Sequence, residues 1–473
     1  MTIPSVSIVW FRQDLRLQDN PALFYASEKQ YPIIPLYILD ETTNNQWKIG
    51  EASRWWLHQS LTSLNTSINN NLCFAMGDAL TILKSIANTY DVKGIYWNRC
   101  YEPLQIKRDT FIKSTFSNLN VEVKSFNSAL LKEPFENLKD DATSYKVFTS
   151  FYKKNYMGKC FSPLPQQTPA AINCFRHTIL PLNDLNLLPT NPWYKKLKAH
   201  WSPGEEGAKK NLKNFLENGL RDYQSGRDYP SLNCTSKLSP HLHFGEISPR
   251  QILEKLFQDI DSFDTNAEHF VKEICWREFA YNLLYYFPHM PEKNLRNEFD
   301  SFSWGYDEEV FTAWKKGLTG YPIIDAGMRE LWQTGYMHNR VRMIVGSFLV
   351  KNLLIDWRHG ERWFWNTLVD ADLANNSAGW QWVAGCGVDA SPYFRIFNPV
   401  TQGEKFDSNG DYVKKYVPEL SKLPNLYIHS PWKAPDTILK TSGITLGKTY
   451  PTPIVDLKIS REKALSTYKL LQF

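Results

Sequence analysis

The sequence contains no C-x-x-C pair. Its seven cysteines (Cys73, Cys100, Cys160, Cys174, Cys234, Cys275, Cys386) are widely scattered. A disulfide scaffold or a zinc site needs closer, paired spacing, so reduced thiols and no metal are expected. No apolar run approaches the ~20 residues that cross a bilayer. The opening Met1–Phe11 lacks the basic start, apolar core and small-residue cleavage site of a signal peptide. The expectation is a cytoplasmic protein with no membrane association. Neither a G-x-G-x-x-G nor a Walker loop occurs, so no phosphate-cradling loop of those kinds is expected. There is no internal repeat and no low-complexity segment.

What is present is length and rings. At 473 residues the chain is about three times a typical ~150-residue domain. It carries 17 Trp, 24 Tyr and 27 Phe, enough rings to serve a core, a stacking ligand or both. The net charge of +5 decides little about partners. The basic excess sits in the first 200 residues, and residues 151–200 hold a single acid, Asp184. A nucleic-acid surface would have to be a local patch.

The first third alternates in pattern. Ser5–Phe11, Ile33–Leu39, Leu72–Met76, Gly94–Asn98 and Val121–Phe126 read as strands, and the first two are nearly continuous in apolar residues, as doubly buried strands are. Ala52–Asn65, Ala79–Tyr90 and Gln105–Phe116 read as helices. Strand and helix in turn predict a parallel α/β sheet. From 140 to 203, prolines at 163, 165, 169, 181, 189 and 192 interrupt any helix and predict a long connection. Beyond it the period is helical: Ala208–Asn218, Pro249–Phe257, Ala267–Phe287, Glu308–Lys316, Tyr321–Gly335, Arg340–Asp356 and Arg362–Thr367. The expected fold is an α/β parallel-sheet domain over 1–139, a connection over 140–203 and a larger all-helical domain over 204–473.

Four segments concentrate chemistry. Within Val369–Pro399, the residues Asp370, Asp372, Asn375, Asn376, Trp380 and Trp382 crowd polar groups among large rings, which is costly to bury unless a ligand pairs them. A capped turn with core tryptophans is the competing reading. Asn339 and Met343 share a helix face at i and i+4, while Arg342 points elsewhere. Glu273 and Trp276 stand one turn apart, a carboxylate beside an indole. Thr235–Ser239 is a hydroxyl-rich bend that suits phosphate oxygens, although capping explains its composition as well. Taken singly, such groups are more often surface pairs or core.

Together with WFRQDLRLQDNPAL at 10–23, these segments resemble the photolyase/cryptochrome family of flavoproteins. The segments GYPIIDAGMRELWQTGYMHNRVRM, GWQWVAGCGVDASPYFRIFNPVTQGEKFD and YPTPIVDLKISREKAL extend the resemblance over nearly the whole chain. Within the family the chain looks most like a class I cyclobutane pyrimidine dimer DNA photolyase. The resemblance implies a helical domain that binds FAD, active as FADH⁻. It assigns to FAD the residues Tyr223, Thr235, Ser236, Lys237, Leu238, Ser239, Arg342, Asp370, Ala371, Asp372 and Asn376. In that assignment Asp370 pairs with Arg342, and the Asn376 oxygen faces flavin N5.

The resemblance further implies light-driven electron transfer to a flipped-out dimer, with the cyclobutane ring splitting and the electron returning. A poorly stacked lesion costs less to extrude than a normal pair. Glu273, Trp276, Asn339, Met343 and Trp382 match dimer contacts. Relatives that repair the (6-4) photoproduct carry histidines where Asn339 and Met343 stand. Arg227, Arg277, Arg340 and Gln402 match DNA contacts, with intramolecular pairing the competing reading for Arg277 and Arg340. Trp380, Trp357 and Trp304 match the relay that photoreduces the flavin; without the resemblance they would read as core. A second, antenna chromophore is expected, whether folate, deazaflavin or flavin. Leu104 and Gln105 stand where folate-binding relatives often carry Asn-Glu. The partner is UV-damaged DNA, met by a monomer with no obligate protein partner. The alternative is a cryptochrome-type blue-light photoreceptor. Many of those carry a long carboxyl-terminal extension, whereas eight residues follow the last motif here.

Overall fold

Five short runs form one sheet, and two of them, Ser5–Phe11 and Ile33–Leu39, are buried almost throughout, as strands covered on both faces are. The computed structural model describes residues 3–42, 47–158, 164–177, 180–260 and 263–471. Cys160 and Pro163 lie outside them. The strands are β1 (Ser5–Phe11), β2 (Ile33–Leu39), β3 (Cys73–Met76), β4 (Asp91–Asn98) and β5 (Glu122–Phe126). They run in the order β3-β2-β1-β4-β5 and every pairing is parallel. Their core includes Val6, Ile8, Trp10, Ile34, Leu36, Ile95 and Trp97, all 1% exposed or less.

Strand order reverses between β1 and β4, where open α/β sheets commonly leave a ligand crevice. Here the chain's own side chains fill it. The Arg12 guanidinium donates to Asp109 and to the Asn98 carbonyl, and lies 4.7 Å from the Trp10 ring centroid. Asn98 donates to Asp14 at 2.6 Å and to Asn20 at 2.7 Å. Asn20 then caps the helix Pro21–Ser27 by accepting from the Leu23 N–H at 3.1 Å. Asp19 takes the Arg250 guanidinium at 3.0 Å. The polar residues of the 10–20 motif are thus largely internal braces.

Packing divides the chain into two compact units. One comprises Met1–Arg221, Ser236–Pro288 and Asp370–Asp372; the other comprises Asp222–Thr235, His289–Val369 and Leu373–Phe473. These cuts differ from the three sequence segments, which mark changes of periodicity and not of packing.

The first unit holds the sheet together with helices that include Glu205–Asn218, Pro249–Asp259 and Thr265–Tyr286. The 140–203 stretch is not wholly irregular, since Phe148–Asn155 is helical. The second unit is helical, with Glu308–Lys316, Pro322–Thr334, Asn339–Ser347, Trp357–Thr367 and Leu373–Ala384 among its elements. The helix expected over Arg340–Asp356 is broken. It passes into one π turn at Phe348–Asn352, Leu354 takes a left-handed φ of 53°, and Asp356 caps a new helix by accepting from the Arg358 N–H at 2.9 Å. An Asp favours that capping role over a mid-helix place.

Among the described residues no helix is long and apolar enough to cross a membrane. No group of three His, Cys, Asp or Glu among them is placed to hold a metal ion. The six described cysteines form no disulfide.

Candidate functional site

The helix Thr265–Tyr286 in the first unit begins where Asp264 accepts the Ala267 N–H at 2.9 Å, and it carries four groups of interest. Glu273 and Trp276 are half-buried one turn apart. The Trp276 indole stacks on Phe148 at 3.7 Å with an interplanar angle of 9°, so one ring face is fixed. Arg277 is braced internally. It donates to the Ala129 carbonyl at 2.7 Å and lies over Tyr281 at 4.6 Å. Its neighbour Glu278 is pushed up to about 7 by burial, against the pull of Arg277 and two backbone N–H groups.

One turn beyond Arg277, the Tyr281 hydroxyl donates to Asp372, and His243 stands 3.5 Å from the same carboxylate. Burial alone would raise Asp372. The proximity of His243, with Arg277 and Tyr281, instead holds it below the ordinary carboxylate range. Asp372 is therefore ionised at neutral pH. Asp370 accepts from the Ser239 hydroxyl at 2.6 Å, which ties the bend to the acidic pair. Within the bend Lys237 has a φ of 52°, and Ser236 accepts the Leu238 N–H at 3.4 Å. Ala371, between the two acids, is buried.

In the second unit Tyr223 is buried on the short helix Tyr223–Gly226, with the Arg227 guanidinium 5.3 Å from its ring centroid. Thr235 is half-buried. Arg342 donates to the Met337 carbonyl at 2.7 Å and lies over Tyr336 at 5.2 Å. Asn376 donates through Nδ2 to the Glu361 carbonyl at 3.1 Å. The Glu361 side chain accepts from Ser377 at 2.5 Å, and burial pushes its carboxyl well above the usual range.

Trp380 is buried edge-on to Phe364 at 4.9 Å and lies 6.3 Å from Trp314. Its indole fills the space that a side chain at residue 360 would take, since a Cβ on Gly360 would fall 2.1 Å from the ring. Trp357 is fully buried and donates to Asn294 at 3.0 Å. Trp304 is half-buried with its ring 4.3 Å from Phe302.

The same unit holds an open cavity of about 520 Å³. Met343 and Trp382 supply apolar surface to it, while Arg340, Arg395, Gln402 and Lys405 supply donors. Arg340 is paired with Asp228 at 2.6 Å, and its guanidinium lies 4.4 Å from the Phe406 ring centroid. Asn339 is exposed at the start of its helix, where His338 caps by accepting the Arg340 N–H at 3.2 Å. Burial, reinforced by Arg342, Arg227 and Arg340, pushes His338 down to about 4, so it stays neutral. A neutral ring is what an acceptor cap requires.

Four expected DNA contacts, Arg340, Met343, Trp382 and Gln402, therefore share one cavity wall. Glu273, Trp276 and Arg277 share one helix of the first unit. Sequence reasoning passed over His243, Tyr281, Glu361, Asp228, Phe148 and Arg395. The run H-L-H at 241–243 and the acid immediately before Arg362 were visible in the sequence, but nothing local says which partner either would meet.

Comparison with known proteins identifies the family. Residues 7–170 match the family model of DNA photolyase, and residues 270–470 match the FAD binding domain of DNA photolyase. A deoxyribodipyrimidine photo-lyase of Agrobacterium fabrum is 48% identical over 472 residues, covering 98% of this chain and 97% of the relative. Cryptochrome-2 of Arabidopsis thaliana is 38% identical, covering 98% of this chain and 79% of the relative. The crystal structure of a bacterial class III photolyase from Agrobacterium tumefaciens superposes with a TM-score of 0.94 at 47% identity, covering 100% of this chain and 98% of that one. The class I resemblance gains no support from that match. The family itself is shown: this chain belongs to the DNA photolyase/cryptochrome family.

Proposed function

We propose that this chain is a light-driven lyase that splits cyclobutane pyrimidine dimers in DNA, with FAD as its resident cofactor. The observation that carries the reading is the cavity in which Met343 and Trp382 meet Arg340, Arg395, Gln402 and Lys405. Apolar surface there suits a pair of extruded bases, and the surrounding cations suit the flanking phosphates. The buried His338 also favours a dimer over a (6-4) lesion, because a neutral imidazole that caps its own helix is a poor proton donor at neutral pH.

The residues that would hold FAD fit such a group. Thr235, Ser236 and Lys237 offer hydroxyl and ammonium donors for phosphate oxygens, while Ser239 ties the bend to Asp370. Asp372, kept ionised, accepts from hydroxyl or ring N–H groups. Asn376 has its nitrogen tied to Glu361, which turns the amide oxygen into the available end. Tyr223, Leu238, Arg342, Asp370 and Ala371 complete the set. When bound as FADH⁻, the cofactor would supply under light the electron that opens the cyclobutane ring.

The chain's own groups do the rest. Glu273 would hydrogen-bond the polar edge of one base and Asn339 that of the other, while Trp276 and Trp382 pack against the dimer. Arg227, Arg340 and Gln402 would hold the strand. Arg277 is assigned instead to bracing the 265–286 helix, since its guanidinium donates to the Ala129 carbonyl and lies over the Tyr281 ring. Trp380, Trp357 and Trp304 would relay an electron inward from the surface. A second chromophore belongs to the reading, with its chemistry left to the mass of what denaturation releases. Gln105 donates to Glu102 at 3.0 Å.

The test is loss of thymine dimers from an irradiated oligonucleotide by the purified, FAD-loaded protein. Dimers should disappear under blue light and persist in darkness, and a (6-4) oligonucleotide should be untouched. Failure under light with fully reduced flavin would reject the reading in favour of a photoreceptor, which 38% identity to a cryptochrome makes the specific rival.

A further inference from the structure

Lys351 lies in the single π turn that follows the helix Asn339–Ser347, and it is 1% exposed. Its ammonium donates to the backbone carbonyl of Arg395 at 3.1 Å. One turn earlier, Ser347 Oγ accepts the backbone N–H of Phe397 at 3.2 Å. Two side chains of one helical segment thus clasp the backbone of 395–397 from below.

The chain leading into the clasped segment turns outward after Tyr393. Tyr393 points inward, stacked on Tyr468 at 4.4 Å, whereas the side chains of Phe394 and Arg395 are exposed. Arg395 and Phe397 both line the cavity. The carbonyl of Arg395 therefore turns inward to Lys351, while the residue itself is exposed and lines the cavity. A second tie, from the Ser391 N–H to the Trp382 carbonyl at 3.1 Å, fastens the chain four residues before Arg395 to another lining residue.

A lysine is an expensive way to fill this space. Besides the carbonyl, its ammonium lies 5.3 Å from the Tyr393 ring, and burial beside Arg395 pushes it down to about 7. A leucine or methionine would pack there without that cost. π turns also recur where a helix must redirect side chains at functional sites.

We infer that Lys351, together with Ser347, is a positioning residue that fixes the Arg395–Phe397 wall so that the Arg395 guanidinium is presented to a DNA phosphate. The inference rests on reading the cavity as the DNA site.

The experiment measures binding of the FAD-loaded protein to dimer-containing DNA across a salt series, for Lys351→Met, Ser347→Ala, Arg395→Ala and the Lys351→Met/Arg395→Ala double variant. Arg395→Ala should weaken binding by roughly tenfold at low salt and make the salt slope shallower by about 0.9, the share of one phosphate. Lys351→Met should show the same shallower slope, and the double variant should be no worse than Arg395→Ala alone. Ser347→Ala, too small a change to threaten folding, should shift the slope in the same direction. A normal slope in both single clasp variants, or fully additive losses in the double variant, overturns the positioning role. No effect of Arg395→Ala itself overturns the DNA reading of this wall, which is a different failure.

Discussion

The side-chain nitrogen of Asn376 is held by the backbone carbonyl of Glu361 at 3.1 Å, and Ser377, the next residue, is held by the Glu361 side chain at 2.5 Å. Two neighbours on the helix Leu373–Ala384 are thus fixed by one residue of the helix Trp357–Thr367. The amide can rotate only by giving up its donor bond, so its oxygen keeps a constant direction. That constancy matters more than the bond's own ~1 kcal/mol, because an acceptor aimed at a cofactor works only when preorganised.

Glu361 gives this arrangement a pH signature. In the folded chain its carboxyl is held protonated by burial, whereas in the unfolded chain it ionises above about 4.5. Above that pH the unfolded state binds fewer protons, so this residue makes stability fall as pH rises toward the folded-state pKa. Glu361→Gln keeps an acceptor for Ser377 and removes the titration. The variant should match the parent near pH 5 and gain on it with rising pH, by at most about 1.4 kcal/mol per unit. Urea midpoints at pH 5.5 and 8 measure this, and an unchanged gap would mean that Glu361 is ionised in the fold.

Asp228 restrains Arg340 at the cavity. The pair is half-buried and 2.6 Å apart, so part of the guanidinium charge is neutralised before DNA arrives. Asp228→Asn should strengthen binding of undamaged duplex several-fold at low salt and steepen the salt slope by about 0.9. An unchanged slope would make Arg340 an internal brace, the role assigned above to Arg277.

Much of this was legible in local pattern, and the exceptions have physical causes. β1 and β2 were readable to the residue because doubly buried strands are nearly continuous apolar runs. The helix Phe148–Asn155 was hidden in a stretch judged by its prolines, yet it supplies the ring under Trp276. The break before Trp357 escaped notice because periodicity does not register a left-handed Leu354. Pairings such as Tyr281 with Asp372, or Asp228 with Arg340, join residues about a hundred positions apart, and no local spacing encodes them. Roles for Asn376 and Glu273 came from family resemblance, since composition alone left both as ordinary polar residues.

The first-unit helix makes a separable prediction about chemistry and grip. Glu273 points its carboxyl from the same helix face as an indole already stacked on Phe148. Glu273→Ala should lower repair yield per absorbed photon more than it lowers binding of undamaged DNA. Phe148→Ala should do the opposite, leaving the yield from bound substrate near normal while loosening Trp276 and weakening dimer affinity. Quantum yield at saturating substrate, set beside binding isotherms, separates the two. Equal yield loss in both variants would refute the division.

Trp380 and Trp382 stand two residues apart on the helix Leu373–Ala384, so their side chains leave on different sides. The structure gives them different surroundings. Trp380 is buried against Gly360 and Phe364, whereas Trp382 is half-buried and lines the cavity. Phenylalanine fills much of the indole's space but is far harder to oxidise. Trp380→Phe should therefore keep the fold and bound FAD while sharply slowing blue-light conversion of oxidised flavin to FADH⁻. Given chemically reduced flavin, that variant should repair dimers at close to the parental yield. Trp382→Ala should photoreduce normally but lose about 1–3 kcal/mol of affinity for damaged DNA, the range of a lost base–aromatic contact. A Cβ at residue 360 supplies the control: Gly360→Ala must displace the Trp380 indole, and should slow photoreduction without touching the cavity. If Trp380→Phe and Trp382→Ala fail at one and the same step, the two indoles share a role and the separation drawn from their environments is wrong.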